Sequence, residues 1–205
     1  MTSAVAWALP AATAGAGREL LRRAAEERDL MRRAQGDPGA LARHRLARCR
    51  AENTEALRTI VDRHGWPTGR LVGEPASTAA LMILLHAPDL AFQLRCRDLV
   101  AEAAADGHCP AVHLAYIADH CAVARGEPQF YGTRVNPVTL RPYPVRCPET
   151  VDERRTDVGL APLEQQMAAL RRGGVAPPSA WRPESQWPPS RSSTNTGISR
   201  SVFFW

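Results

Sequence analysis

Apolar residues recur at spacings of three and four through most of the chain, which places them on one face of an α-helix. Between residues 41 and 64 such a stripe contains Leu46, Cys49, Asn53, Ala56 and Ile60. Short segments rich in Gly and Pro interrupt the pattern and indicate turns between helices. The sequence therefore predicts helices over 18–34, 41–64, 78–86, 89 to about 103, 110–124, 150–159 and 162–172.

The pattern changes after Gly126, where Gln-Phe-Tyr-Gly-Thr-Arg-Val precedes an Asn-Pro turn and a second short apolar run. This layout predicts a small β-hairpin between 128 and 146. In an extended strand, alternate residues point the same way, so Gln129, Tyr131 and Thr133 would present an amide, a phenol and a hydroxyl on one face.

These elements predict one mainly α domain, an irregular helical domain of about six or seven helices with one small hairpin, over residues 18–172. Residues 1–17 have no basic segment before their short apolar run, and Pro10 interrupts that run, so we interpret them as a disordered leader. Residues 173–205 are rich in Pro and Ser without a sustained period, and we predict a disordered tail. We expect a cytoplasmic protein with no membrane segment.

Charge and composition exclude several kinds of chemistry. All 26 positively charged residues are Arg, so a Schiff-base lysine, a lysine general base and a phosphate-loop lysine are excluded. The net charge of +5 is unevenly spread, because residues 59–172 carry 12 Arg against 13 acidic residues. No DNA-binding motif accompanies the excess in the N-terminal helices, so we expect a solvated helix face and no nucleic-acid partner.

Metal and cofactor sites are not indicated either. The five cysteines form no CxxC pair, which favours reduced, mostly buried thiols. Cys109, His113 and His120 share one predicted helix at spacings of four and seven, but structural zinc sites usually take four ligands. We therefore interpret them as histidines beside a buried thiol and predict no metal and no cofactor.

A few polar residues fall where they have candidate chemical roles. The spacing of the helix over 110–124 turns Asp119 toward its apolar side, and a buried carboxylate needs a partner. His86 ends the helix before Pro88, and Arg154 with Arg155 lies on a later helix. We predict a pocket with His86 and Asp119 as candidate catalytic residues; Gln129, Tyr131, Thr133 and Arg155 are the candidate binding residues.

Each of these residues also has a structural interpretation. His86 would satisfy carbonyls at a helix end, Asp119 would pair with Arg155, and the strand residues would close the hairpin against the helices. If His86 lies more than about 10 Å from the strand residues, the hypothesis of a common site fails.

Five segments together resemble a bacterial family of uncharacterised domains: HGWPTGRLVGE (64–74), LLHAPDLAFQ (84–93), AYIADH (115–120), EPQFYGTR (127–134) and VDERRTDVGLAPL (151–163). The resemblance covers about residues 18–172 and implies a predominantly helical cytosolic domain, without an activity to carry over. Two positions depart from the family pattern, since this chain has His120 where the family usually has Arg and Arg134 where it usually has Gln. A polar pocket of the family would therefore be retuned or lost here.

The leading hypothesis is a small-molecule or peptide-binding domain with a polar pocket, with hydrolysis as its reaction class. The alternative is a non-enzymatic interaction module that binds a protein through its N-terminal helices. In that alternative, Phe203, Phe204 and Trp205 form a docking peptide or a substrate carried in the same chain, or end an inert tail.

Overall fold

A computed structural model of the chain describes residues 11–36 and 39–172. Its helices are α1 (Ala11–Gly36), α2 (Ala40–His64), α3 (Gly69–Val72), α4 (Glu74–Leu85), α5 (Leu90–Ala105), α6 (Ala111–Ala124), α7 (Val151–Asp157) and α8 (Leu163–Arg171). A single 3₁₀ turn, Pro148–Thr150, precedes α7. The prediction of a mainly α domain is confirmed.

Helix α4 lies at the centre of the domain because it is apolar on nearly every side. Leu81, Ile83, Leu84 and Leu85 are all buried, and α4 packs against α1, α2, α3, α5 and α6. Burying an aliphatic side chain of this size stabilises the fold by roughly 1.5–3 kcal/mol. Helix α4 therefore fixes the positions of the other helices, including those that bear the polar clusters described below.

Helix α4 ends where the sequence predicted. His86 caps its C-terminus, and Asp89 caps α5 by accepting a hydrogen bond from the backbone N–H of Phe92 at 3.1 Å. Pro88 between them disfavours helical geometry in the residue before it. The side chain of His86 is thereby held at the end of the central helix.

Helix α1 begins at Ala11, earlier than the predicted start at Arg18. Residues 11–17 contain only Ala, Thr and Gly, so they carry no apolar period, although Ala is the strongest helix former. Thr13 and Gly17 are buried, and Gly17 lies close to the backbone of Val72 in α3. The first ten residues of the predicted leader lie outside the described residues, as does the predicted tail 173–205 with Phe203, Phe204 and Trp205.

The predicted hairpin is not formed as paired strands. Segment 128–146 contains two isolated bridges, Gln129 with Val145 and Val135 with Pro142, and no strand occurs within 11–36 or 39–172. The first bridge is parallel, which two strands joined by a tight turn cannot form. Pro142 and Pro144 lack the N–H groups that a ladder needs, so the segment folds as an irregular loop.

A smaller apolar cluster covers this loop. Met167 and Leu170 of α8 are buried with Val135, and Leu163 packs beside them. Across the described part of the chain, no helix is both long enough and apolar enough to span a membrane.

Candidate functional site

Asp119 holds the loop that follows α6. Its side chain is fully buried, and its carboxylate accepts hydrogen bonds from the backbone N–H groups of Phe130 (2.7 Å), Tyr131 (3.0 Å) and Thr133 (2.8 Å). The Thr133 hydroxyl donates a fourth at 2.9 Å. Burial raises the pKa of Asp119, and these hydrogen bonds oppose the rise. The carboxylate therefore has four donors from one short stretch of chain.

Gln129 fixes the next turn of the same loop. Its side-chain Nε2 donates to the carbonyl groups of Arg134 (2.9 Å) and Tyr143 (2.8 Å), and its Oε1 accepts from the Arg134 N–H at 2.7 Å. Both ends of the buried amide thus bond to the backbone. Gln129 therefore fixes the conformation of the loop and the position of the Arg134 backbone, and the Arg134 side chain is buried.

Arg155 approaches the loop from α7. Its guanidinium donates to the carbonyl groups of Ala161 (2.6 Å) and Tyr131 (2.7 Å) and to Gln166 Oε1 (2.5 Å). Burial lowers the pKa of Arg155. Asp119 and Arg155 are linked through the backbone of Tyr131, whose N–H and carbonyl they hold, rather than through the direct pair considered above. We call Asp119, Gln129, Thr133 and Arg155 the loop latch.

The side chain of Tyr131 is half-buried and packs edge to face against Phe130, with ring centroids 5.1 Å apart. Burial raises the pKa of Tyr131, and so does the nearby charge of Asp119. Tyr131 thus contributes its backbone N–H and carbonyl to the latch, while its side chain stays partly exposed.

His86 belongs to a second polar cluster, between α1, α2 and α4. Its Nδ1 lies 2.7 Å from Oε1 of Glu27, and both side chains are almost fully buried. Arg50 Nε donates to the same oxygen at 2.9 Å, and Asn53 Nδ2 donates to the other carboxylate oxygen at 3.0 Å. Glu27 therefore joins the three helices through three donors.

The protonation of this pair follows from its surroundings. Burial alone would raise the pKa of Glu27, but the hydrogen bonds from His86 and Arg50 lower it to about 2, together with the charge of Arg50 and the charge that His86 carries once it is protonated in acid. Burial lowers the pKa of His86, although its bond to Glu27 opposes the change. Near neutral pH, Glu27 is ionised and His86 is neutral. Because a carboxylate only accepts, Nδ1 carries the hydrogen and Nε2 keeps its lone pair.

A small cavity of about 30 Å³ lies beside this pair, at the seam between α1 and α4. Its lining residues are Ala24, Glu27, Arg28, Met31, Met82, Ile83 and His86. A volume of this size holds about one water molecule. A carboxylate, an imidazole and two thioethers thus border one small space.

Comparison with known proteins places this helical chain in a family. The family DUF6624, described as a family of unknown function, matches residues 23–173. The chain belongs to DUF6624. No curated protein and no solved structure matches the chain. The predicted resemblance to an uncharacterised family is confirmed, and the function must be argued from the residues of this DUF6624 domain.

The six candidate residues of this DUF6624 domain fall into the two clusters. Asp119, Gln129, Tyr131, Thr133 and Arg155 meet at the loop, whereas His86 contacts Glu27. Burial is the main cause that lowers the pKa of His86, and the charge of Arg134, whose backbone Gln129 holds, lowers it slightly further. His120 and Arg134, the two residues expected to depart from the family pattern, are both buried. That the six residues form one binding set stays a prediction.

Sequence reasoning did not select Glu27 or Arg50. A signal for Glu27 was present, since Leu20, Ala24, Glu27, Met31 and Ala34 follow one another at spacings of three and four. The reasoning that turned Asp119 toward an apolar face would have found it. Asn53, the polar member of the predicted stripe over 41–64, joins α2 to α1, because it donates to Glu27 and accepts from Arg23 at 3.3 Å.

Of the residues considered for a metal, His113 and His120 lie on α6 and Cys109 precedes it. Cys109 Sγ contacts His113 Nδ1 at 3.4 Å, and both side chains are buried. Burial raises the pKa of Cys109 to about 11, so its thiol stays protonated at neutral pH. No group of three or more His, Cys, Asp or Glu side chains suited to a metal occurs among the residues that the structure describes.

Proposed function

We propose that this DUF6624 domain binds a small polar molecule at the seam between α1 and α4, and that His86 acts on it as a general base. The observation that carries the proposal is the contact of His86 Nδ1 with Glu27 Oε1, at 2.7 Å, beside a cavity that both residues line. A carboxylate that holds one imidazole nitrogen leaves the other free to accept a proton, which is the chemistry of a general base.

The surrounding hydrogen bonds suit this role. When Nε2 accepts a proton from a ligand or a water molecule, the imidazole becomes positively charged and Glu27, 2.7 Å away, stabilises that charge. Arg50 and Asn53 keep the carboxylate in place during the transfer. Since the cavity has room for about one water, hydrolysis by an activated water is the reaction class that we propose.

A ligand larger than water needs more space than the cavity offers. Three of its walls, Arg28, Met31 and Met82, are unbranched side chains with several rotatable bonds. Such side chains change rotamer at low cost, and methionine in particular adapts to irregular partners. We propose that ligand entry displaces them and opens the seam, while the buried helix backbones stay in place.

The test is a thermal-shift screen of small polar compounds with the full chain, followed by affinity measurements on the His86→Gln variant. We expect compounds that stabilise the wild type to lose at least tenfold in affinity for His86→Gln. His44→Gln serves as the matched control, because His44 is exposed on α2 away from the cavity. Equal affinity in wild type and His86→Gln would refute the proposal. If His86→Gln does not fold, the nitrogen chemical shifts of the His86 ring in the wild type decide, since a bound ligand must change that of Nε2.

A second candidate function rests on a separate observation, a surface groove of about 700 Å³ between α1 and α2. The residues that line it are Ala16, Glu19, Arg23, Glu52, Glu55, Ala56, Thr59, Ile60, Arg63 and His64. Its volume falls in the range of ligand clefts, and it lies on the N-terminal helices, where an interaction module would bind a protein.

Substitution separates the two candidates. Ala56→Arg would fill the groove, whereas Ala51→Arg on an exposed face of α2 would leave it open. If a partner binds there, only Ala56→Arg should release it, and binding at His86 should stay unchanged. A partner that tolerates Ala56→Arg would exclude the groove as its docking site.

A further inference from the structure

Arg50 makes an unusual contact with Met31, one of the residues that line the cavity. Its Nε donates to Glu27, but its Nη2 donates to the sulfur of Met31 at 3.6 Å. A thioether is a weak acceptor, whereas a guanidinium group binds carboxylate and phosphate oxygens strongly and with a fixed geometry. The Arg50 side chain is only 13% exposed, so the strength of each of its contacts matters. One N–H of a nearly buried guanidinium is thus bound to a partner that an oxygen anion would replace favourably.

Met31 also lines the cavity beside His86. Moving its side chain would therefore place Arg50 Nη2 and His86 on the same enlarged space. The two residues are close together, because His86 Nδ1 and Arg50 Nε bind the same oxygen of Glu27 and so lie within about 6 Å of each other. A ligand of a few atoms can reach both.

From this geometry we propose that the ligand of the seam carries a carboxylate or phosphate group, and that this group takes the place of Met31 Sδ on Arg50. The inference rests on the proposed function, since it names the chemical class that the His86 pocket takes. The anionic group would anchor the ligand at Arg50, and the remainder would face His86.

The charges around the cavity favour an anion over a cation. Glu27 is the acidic residue in the cavity lining, and three donors already occupy its oxygens. A cationic ligand would have to share the carboxylate with those donors. Arg28 adds a positive charge at the cavity wall, and Arg134 adds another that acts on His86. Opposite charges attract more strongly in such a poorly solvated setting than in water.

The experiment titrates the full chain with three small probes at constant ionic strength. Inorganic phosphate and acetate test the two anionic classes, and acetamide matches acetate in shape without its charge. Nuclear magnetic resonance follows the Arg50 Nε–H group and the Met31 methyl group. We expect phosphate, acetate or both to shift the two signals saturably, and acetamide to shift neither. Which anion binds more tightly distinguishes a phosphate ligand from a carboxylate ligand.

Two variants sharpen the result. Arg50→Lys keeps the charge but loses the planar fork, so anion affinity should fall at least tenfold. Arg48→Lys, an exposed site on the same helix, is the matched control and should bind like the wild type. Met31→Leu removes the competing sulfur at similar volume and should keep or increase anion affinity. If Arg50→Lys does not fold, the comparison of acetate with acetamide in the wild type decides.

The inference is overturned if neither phosphate nor acetate shifts the two signals more than acetamide does, or if Arg48→Lys weakens binding as much as Arg50→Lys. The experiments distinguish failure of the anionic-ligand inference from failure of the proposed function of His86. Neutral compounds that bind in a His86-dependent way, with anions inactive, would overturn the anionic ligand alone. Anions that bind Arg50 equally well in wild type and His86→Gln would overturn the role of His86.

Discussion

Two buried carboxylates each hold together chain segments that are far apart in sequence. Glu27 receives donors from α2 and from the end of α4, and Asp119 receives backbone donors from the loop after α6. A buried carboxylate is costly unless hydrogen bonds compensate its desolvation. Each residue therefore specifies the arrangement of its neighbours as well as contributing to stability.

Asp119→Asn should destabilise the domain by roughly 2–3 kcal/mol, because hydrogen bonds to an ionised carboxylate are stronger than those to a neutral amide. In addition, the NH2 group of the new amide would face the N–H and hydroxyl donors that now bind the carboxylate. Chemical denaturation measures the change in the free energy of unfolding. The control is Asp98→Asn, because the Asp98 side chain is exposed on α5. The control should lose no more than about 1 kcal/mol. Equal losses in the two variants would show that the latch does not depend on the carboxylate.

The sequence could predict which way Asp119 faces, but it could not identify its donors. Helical spacing places a residue on a face, and Asp119 is indeed buried. Its partners are backbone N–H groups, which every residue except proline carries, so no residue type marks them. The pairing of Glu27 with His86 was hidden for another reason, because it depends on how α1 packs against α4.

At the scale of elements, helices were predicted more accurately than the segments between them. The sequence predicted that one helix ends at His86 and that the next begins at residue 89, and α4 and α5 end and begin within one residue of these positions. The start of α1 was misplaced because Ala and Gly carry no period. The predicted β-hairpin is not confirmed, because the alternating residues suggested strands, whereas Pro142 and Pro144 lack the N–H donors that paired strands need.

Two glycines of α1 make a matched test of how that helix packs. A Cβ on Gly17 would lie 2.6 Å from the carbonyl oxygen of Val72, whereas nothing lies within 4 Å of one on Gly15. Gly17→Ala should therefore cost roughly 1–3 kcal/mol through overpacking against α3. Gly15→Ala should stabilise the helix by about 0.5–1 kcal/mol.

Thermal or chemical unfolding of both variants gives the comparison. Because the two changes add the same methyl group to the same helix, their difference isolates the contact with Val72. Stabilisation by Gly17→Ala would mean that α1 does not approach α3 as closely as described.

At the scale of the whole molecule, acid should destabilise the fold. The folded-state pKa of His86 lies below its ordinary value of 6.5, and that of Glu27 falls from 4.5 to about 2. The unfolded chain therefore binds more protons, and the free energy of unfolding decreases as the pH falls below about 6.5. His113 acts in the same direction, and Asp119, whose pKa is raised, opposes it in the acid range.

Denaturation at a series of pH values measures this dependence. Each histidine that is kept neutral contributes at most about 1.4 kcal/mol per pH unit. His86→Gln should reduce the slope between pH 6.5 and 5, while His44→Gln should not. Equal slopes in the wild type and both variants would show that His86 takes up its proton as readily in the folded chain as in the unfolded one.

The distribution of the cysteines turns the protein into its own probe of folding. Cys49, Cys96, Cys109 and Cys121 are buried between helices, and Cys147 is exposed. An alkylating reagent therefore finds one accessible thiol in the native state and five in the unfolded state. Each additional thiol that reacts over time reports the opening of a particular helix contact, so the kinetics of partial unfolding can be followed in the unaltered chain without an introduced label.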